Sequence, residues 1–420
     1  MFSKVRTVLI VGNGESGKSA LAALEKEGCK CIVCDRNSRL SESEHYDMAV
    51  VSPGVARSSK EFDYALKTAD KVIGELELGF LLNGDRPVIA VTGTNGKTTV
   101  TELVGHILGG VMKTAVCGNI GTPFSKCAFE GEYDVAVVET SSFQLETVST
   151  FRPHIACITN IDSDHLDRHG SVENYARLKL SIADNQTAKD FLVLSQDGIP
   201  STFLKDFSPR SDVWYTALDR KVRGAYSLGG ELMFMNERIC AREDFAPIGD
   251  FNTANALSAI CICRLAGVDS DTIASALRTF DTAPHRLKPV RTLGGRTYWD
   301  DSKGTNIAAT LAACAAMKGD TLLILGGSDK GYGYDELFEK MSPKIKEIVL
   351  LGETADKIEE SARRFGFGSL RRVDSLSEAV SYASEREVEN VLLSPASASF
   401  DMFKNYEERG EAFIRAVKEL

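Results

Sequence analysis

Residues 88–99 read Val-Ile-Ala-Val-Thr-Gly-Thr-Asn-Gly-Lys-Thr-Thr, and they limit the fold more tightly than any other stretch. An apolar, β-type run empties into a glycine-rich turn. Lys97-Thr98 then opens a segment whose apolar residues, Val100, Leu103, Val104, Ile107 and Leu108, recur at the spacing of a helix face. That order turns backbone N–H groups and a helix N-terminus toward an anion. In such a loop the lysine neutralises the β/γ-phosphates of a nucleoside triphosphate and the Thr98 hydroxyl can hold Mg²⁺. The strict pattern G-x-x-x-x-G-K-[ST] wants glycine at position 91, where Val91 stands, so this is a variant phosphate loop. Gly93, Thr94, Asn95, Gly96, Lys97, Thr98 and Thr99 are its expected ATP contacts.

A second loop competes. Gly12, Gly14 and Gly17 fit the dinucleotide pattern G-x-G-x-x-G, while Gly12 to Ser19 also satisfies the strict phosphate-loop pattern. A strand, Lys30–Cys34, follows and ends at Asp35, about where an acidic residue would meet a ribose hydroxyl. Taken alone, this segment reads as an NAD enzyme or a kinase, and motif matching does not choose between the loops.

Composition narrows the class. A chain of 420 residues holds two or three domains, and a net charge of −10 argues against nucleic acid as a partner. No apolar run approaches a membrane span and no signal-peptide pattern opens the chain, so a cytoplasmic location is expected. Ten cysteines are scattered through apolar segments, as reduced core residues would be. Cys31 and Cys34 fall on one strand, where residues three apart face opposite sides, so no metal or redox motif is read there.

Three segments separate by pattern: residues 1–86, 87–282 and 283–420. Polar breaks divide them at Asn83-Gly84-Asp85-Arg86-Pro87 and Asp281-Thr282-Ala283-Pro284. Alternating strands and helices throughout predict an α/β protein with mostly parallel sheets. Ligands in such sheets sit beyond the carboxyl ends of the strands.

Several chemistry-bearing residues fall at such ends. Glu139 closes the Val135–Val138 run, where a Mg²⁺ ligand beside the phosphate loop belongs. Asp162, Asp164 and His165 follow Ile155–Ile158, a second candidate cation site. Lys179, on a helix from about Val172, reads by itself as a solvated lysine; carbamylated by CO₂ it would become a carboxylate-like ligand. Lys303 and Thr305 precede a helix N-terminus, suited to a phosphate or carboxylate. The serines after Val391–Leu393 and the loop Gly326–Gly331 suit a small anion.

With these residues laid out, the chain resembles the Mur ligases, ATP-dependent amino-acid-adding enzymes of peptidoglycan synthesis. The resemblance rests on Thr92–Thr99, Gly118-Asn119-Ile120-Gly121, Asn160–Asp167, Asn252–Ala256, Pro284-His285-Arg286 and Asp301–Asn306. Glu139–Glu146 and the long block Leu393–Gly410 are similar to the D-glutamate-adding branch. It implies three α/β domains: an N-terminal Rossmann-like domain that binds a UDP-sugar, a central P-loop-type ATPase domain, and a C-terminal Rossmann-like domain for the amino acid. The match at Gly12–Ser19 is then coincidental. The implied substrates are UDP-N-acetylmuramoyl-L-alanine and D-glutamate, with ATP and two Mg²⁺ ions, handled by a monomer.

Carried over by motif, Thr98, Glu139, His165 and a carbamylated Lys179 would hold metal. Lys97, Glu139, His165, Lys179 and Lys303 would be catalytic, and Asn252, Asn255, Arg286 and Asp301 would contact ATP. Gly14, Ser16, Asp35, Arg36, Gly54, Asn119, Ser141 and His165 would meet the UDP-sugar. Asp164, Thr305, Lys330, Ser399, Phe400 and Tyr406 would form the D-glutamate pocket. The chain departs from the family pattern at Tyr406 (usually Phe), Phe400 (usually Leu) and Gly304 (often Ala), and its His165–Lys179 spacing is one residue short. A sister ligase adding another amino acid, an NAD-dependent oxidoreductase using Gly12–Gly17, and a non-catalytic UDP-sugar-binding regulator are the other readings.

Overall fold

The computed structural model describes residues 5–38 and 43–420, together with the side chains of all of these but Asp167. The chain divides into two compact units. One runs to Asp244 and resumes over Ala254–Phe280; the other comprises Phe245–Thr253 and Asp281–Leu420.

The first unit holds two sheets. Four parallel strands lie in the order Lys30–Cys34, Thr7–Val11, Met48–Val51, Val72–Gly74. Their two-residue alternation sends Val8 and Ile10 into one core and Leu9 and Val11 into the other. Cys31 and Cys34 divide between the same two cores, and all ten cysteines are free thiols.

The second sheet has nine strands. Thr114–Gly118, Val135–Glu139, Val88–Thr92, Ile155–Ile158, Phe191–Ser195, Asp212–Ala217 and Gly224–Leu228 are parallel neighbours in that order. A hairpin turning at Gly229-Gly230 then adds Glu231–Phe234 and Glu237–Ala241 antiparallel. The run Val88–Thr92 is buried along its whole length, as a central parallel strand covered on both faces must be.

Buried carboxylates join the two sheets' supporting helices. On the helix Glu75–Asn83, Glu75 accepts from the Ser125 N–H at 2.7 Å, and Glu77 accepts from the N–H groups of Ser149, Thr150 and Phe151 at 2.8–3.0 Å. A side chain at Gly79 would run into the Phe124 ring, so the helix Phe124–Glu130 packs close there.

The second unit carries six strands in the order Lys288–Leu293, Arg296–Asp300, Asn390–Leu393, Thr321–Leu325, Ile345–Leu350, Leu370–Arg372, parallel except for the first pair. Leu323 and Leu325 enter one core, Leu322 and Ile324 the other. Among the described residues, no helix is long and apolar enough to cross a membrane.

Candidate functional site

The Val88–Thr92 strand delivers the phosphate loop at its carboxyl end. The following helix starts at Lys97 itself, behind Gly96 in the left-handed region at φ +82°. A side chain at Gly96 would also strike the Asn255 amide, so this position requires glycine twice over. The neighbouring strand's exit fixes the loop. Asn160 Oδ1 accepts from Asn95 N–H at 2.8 Å, Asn160 Nδ2 donates to Asn95 O at 2.9 Å, and the Thr159 hydroxyl donates to the same oxygen at 2.6 Å. Lys97 Nζ folds back on the loop, donating to Gly93 O at 3.0 Å and Thr94 O at 2.9 Å. Thr98 is half-buried beside it and Thr99 is buried.

The rival loop is built otherwise. Its helix begins at Glu15, which leaves Lys18 exposed one turn further on. Ser19, the would-be Mg²⁺ ligand, is buried with its hydroxyl 2.7 Å from Ser125 Oγ. Its hydroxyl is thus engaged in packing two helices, which sets this loop apart from the one at Lys97.

Glu139 pairs in register with Val91 at the end of its strand, which brings a buried carboxylate beside the phosphate loop. Its Oε1 accepts from Asn119 Nδ2 at 2.7 Å, while Oε2 is buried with no hydrogen-bond partner. An orphaned carboxylate oxygen at a strand end beside the phosphate loop is a hard-oxygen donor, and Mg²⁺ takes one or two such ligands plus phosphate oxygens. The residues present therefore fit this ion. Among the described residues, no three His, Cys, Asp or Glu side chains converge on a metal-sized space.

Lys179 is the chief correction to the sequence reading. It is 1 % exposed rather than solvated, with Nζ donating to Gly93 O at 2.7 Å and lying 4.3 Å from the Tyr175 ring centroid. Tyr175, Ala176, Lys179 and Leu180 form the buried stripe of the helix Val172–Leu180. The periodicity alone, with Lys179 four residues after Tyr175, would have signalled this face. Burial, reinforced by the charge of Lys97, lowers the Lys179 pKa well below the ordinary lysine value. His165 is half-exposed in the left-handed region (φ +51°), its Nε2 3.7 Å from the Asp164 carboxylate.

Two adjoining cavities open at the carboxyl ends of the four-stranded sheet. The larger, about 420 Å³, is lined by Gly14, Ser16, Gly54, Val55, Asn119 and Gln144 among others. The smaller, about 240 Å³, is lined by Asp35, Arg36, Gly54 and Val55 among others. Asn119 thus touches the larger cavity and Glu139 together. Ser141 sits at the N-cap just before Gln144, and its hydroxyl and N–H are engaged with Gln144 in a capping box.

In the second unit, Lys303 Nζ lies 3.7 Å from the Tyr406 ring centroid, and Lys330 Nζ donates to Thr305 O at 2.9 Å. Thr305 N–H in turn donates to Lys303 O at 2.8 Å, so these four residues gather in one place. Ser399 is buried in the adjoining loop and Phe400 stands 75 % exposed. Asp301 is buried, accepting from Ser394 Oγ at 2.6 Å and Leu287 N–H at 3.1 Å. Burial pushes its carboxyl up to about 7 against the opposing Ser394 bond. Arg286 is half-buried, and its positive charge acts on Asp301 in the opposite sense to that burial. Asn252 Nδ2 donates to Ile248 O at 2.8 Å. Of the strand-end serines, two have their hydroxyls engaged within the protein: Ser394 bonds Asp301, and Ser397 Oγ lies 2.7 Å from Tyr334 Oη. Sequence reading missed Arg409, buried and donating to Ser302 O, Ser397 O and Ala398 O at 2.7–3.1 Å.

Residues 91–263 match the Mur ligase middle domain and residues 285–396 the Mur ligase glutamate ligase domain. A UDP-N-acetylmuramoylalanine–D-glutamate ligase of Caldanaerobacter subterraneus is 38% identical over 99% of both chains. A protein of the same name from Lachnoclostridium phytofermentans is 37% identical over 99% of this chain and 98% of its own. The MurF ligase of Thermotoga maritima, solved with ADP, shares the fold at a TM-score of 0.62 and 16% identity, over 91% of this chain and 97% of that one. The chain belongs to the Mur ligase family.

Proposed function

We infer that this protein is an ATP-dependent ligase that joins the carboxylate of UDP-N-acetylmuramoyl-L-alanine to the amine of D-glutamate, a step of peptidoglycan precursor synthesis. The observation that carries the reading is the meeting of Lys97, Glu139 and Lys179 around one glycine-rich loop, in a chain similar along its whole length to ligases of that name. The substrate carboxylate attacks the γ-phosphorus of ATP, forming an acyl phosphate and releasing ADP. The amine of D-glutamate then attacks the acyl carbon and phosphate leaves.

Both partners in the first step are anions, so charge compensation dominates. Lys97 gives up its loop carbonyls for the β/γ-phosphates. Thr98 and Glu139 would hold Mg²⁺, with His165 and carbamylated Lys179 for a second ion. The metal, when bound, supplies charge neutralisation at the phosphoryl oxygens. Carbamylation needs a neutral amine: Nζ adds to the carbon of CO₂ and gives up one proton. Burial of Lys179 lowers its pKa and so shifts it toward that neutral form.

The two cavities take the nucleotide-sugar, with Asp35 and Arg36 toward the uracil and Gly14, Ser16, Gly54, Asn119 and Ser141 toward the rest. Asn252, Asn255, Arg286 and Asp301 serve ATP. Asp164, Lys303, Thr305, Lys330, Ser399, Phe400 and Tyr406 serve D-glutamate, and either Asp164 or His165 takes the proton of its ammonium group. The protein works as a cytoplasmic monomer. The decisive test supplies UDP-N-acetylmuramoyl-L-alanine, ATP and Mg²⁺ with a panel of amino acids and follows phosphate release. D-Glutamate alone is expected to support turnover. Release with L-alanine or a diamino acid, and none with D-glutamate, overturns the reading.

A further inference from the structure

The run Glu139–Glu146 is only partly used by the chemistry above: Phe143 and Glu146 have no part in it. Both face the short helix Leu166–His169 that follows His165. Arg168 on this helix grips Glu146 with two bonds, Nε to Oε1 at 3.0 Å and Nη2 to Oε2 at 2.7 Å. The same Nη2 donates to Val55 O at 3.1 Å, on the strand-to-helix connection of the N-terminal sheet. Val55 lines both cavities. The guanidinium also lies 4.3 Å from the Phe143 ring centroid, and Phe143 sits 4.9 Å from the His165 ring. Next to Arg168, buried His169 is 3.0 Å from Ser142 Oγ.

One side chain therefore touches the cavity wall, the carboxylate that ends the run and the ring against His165. A rigid planar fork holds both Glu146 oxygens and the Val55 carbonyl in one fixed arrangement while stacking on Phe143; an ammonium on a flexible stem has the donors but not that fixed geometry. His165 needs such support, because its backbone lies in the left-handed region that non-glycine residues seldom adopt.

We propose that Arg168, seated on Glu146, is a positioning residue that ties the cavity wall at Val55 to His165, so that filling the cavities with a uridine nucleotide orders the His165 loop. This rests on the nucleotide-sugar reading of the cavities. Groups that orient a metal-binding side chain cost about 10–100-fold in activity or affinity when removed.

The test measures amide hydrogen exchange in the full chain with and without UDP. In the wild type, UDP slows exchange in residues 52–56 and also in residues 163–169. In Arg168→Met, residues 52–56 are still protected and residues 163–169 are not. The variant's kcat falls about 10–100-fold, with KM for ATP unchanged. Arg168→Lys keeps the charge and shows the same uncoupling; it carries the test if the methionine variant does not fold. Protection at 52–56 with no wild-type change at 163–169 overturns the proposal alone, as does equal coupling in the wild type and the variants. Absence of protection at 52–56 in the wild type overturns the cavity assignment, and the proposal with it.

Discussion

Replacing Lys97 with alanine separates the two glycine loops, because its structural and chemical costs differ by orders of magnitude. Lys97 Nζ donates to Gly93 O and Thr94 O, but Gly93 O also accepts from Lys179 at 2.7 Å. The substitution therefore removes the Lys97 bond to Thr94 O and leaves Gly93 O served by Lys179. One half-buried hydrogen bond is worth about 1 kcal/mol. A domain stable by about 5–15 kcal/mol stays more than about 99% folded after such a loss. The chemical cost is larger: removing one preorganised donor from developing charge costs about 10²–10³ in kcat. Lys18→Ala should do neither, since the side chain is exposed one turn into its helix; surface changes of this kind stay within about 0.5 kcal/mol. The assay is phosphate release at saturating ATP, beside thermal unfolding of both variants. Lys97→Ala should lose turnover by at least about 100-fold with a nearly native melting temperature. If Lys18→Ala abolishes ATP use and Lys97→Ala retains it, the loops are assigned backwards.

Three further outcomes follow from buried groups. The wild type should gain about 2.7 kcal/mol of stability at Mg²⁺-ATP a hundredfold above its Kd; Glu139→Gln, which removes the orphaned carboxylate oxygen, should lose most of that gain in thermal unfolding. Lys179→Met fits the same buried stripe and should fold normally yet be inactive, whereas wild-type activity should drop in CO₂-free buffer and return with bicarbonate; activity indifferent to bicarbonate refutes the carbamate. Asp301 has a folded pKa of about 7 against 3.8, so between those values the unfolded chain loses its proton while the folded chain keeps it. Stability therefore falls as pH rises through that window, by up to about 4 kcal/mol from this one group. Asp301→Asn can still bond Leu287 and Ser394, and should flatten the pH dependence of the urea midpoint between pH 4 and 7.

What was legible in the chain was whatever depends on local period and local turn chemistry. Val8–Val11 and Leu322–Leu325 alternate between two cores as their pattern demands, and the Gly229-Gly230 hairpin forms where two glycines permit it. The strand–loop–helix at Lys97 is equally local. Groups whose role depends on a distant partner were harder. Ser19 satisfies a metal-binding pattern, yet its hydroxyl belongs to Ser125, more than a hundred residues on. Ser394 and Ser397 looked open to an anion and instead bond Asp301 and Tyr334. No local signal distinguishes a hydroxyl facing a ligand from one facing another helix.

Asn119 and Glu139 show why a site of this kind scatters along the sequence. The 2.7 Å bond between them joins the rim of the larger cavity to the carboxylate beside the phosphate loop. The bond exists because Gly118 pairs with Glu139 across parallel strands, and parallel neighbours are separated by a crossover. In open parallel sheets, ligands bind in the crevice beyond the carboxyl ends of the strands, which is where this pair lies. On the proposed function, the reaction needs the nucleotide cavity and a metal-binding carboxylate within reach of one another, and the Asn119 amide would link the two. Asn119→Ala should therefore affect both functions together, raising KM for the nucleotide-sugar and the half-saturating Mg²⁺ concentration. A variant that moves only one of the two in steady-state kinetics would show that the bond carries no coupling.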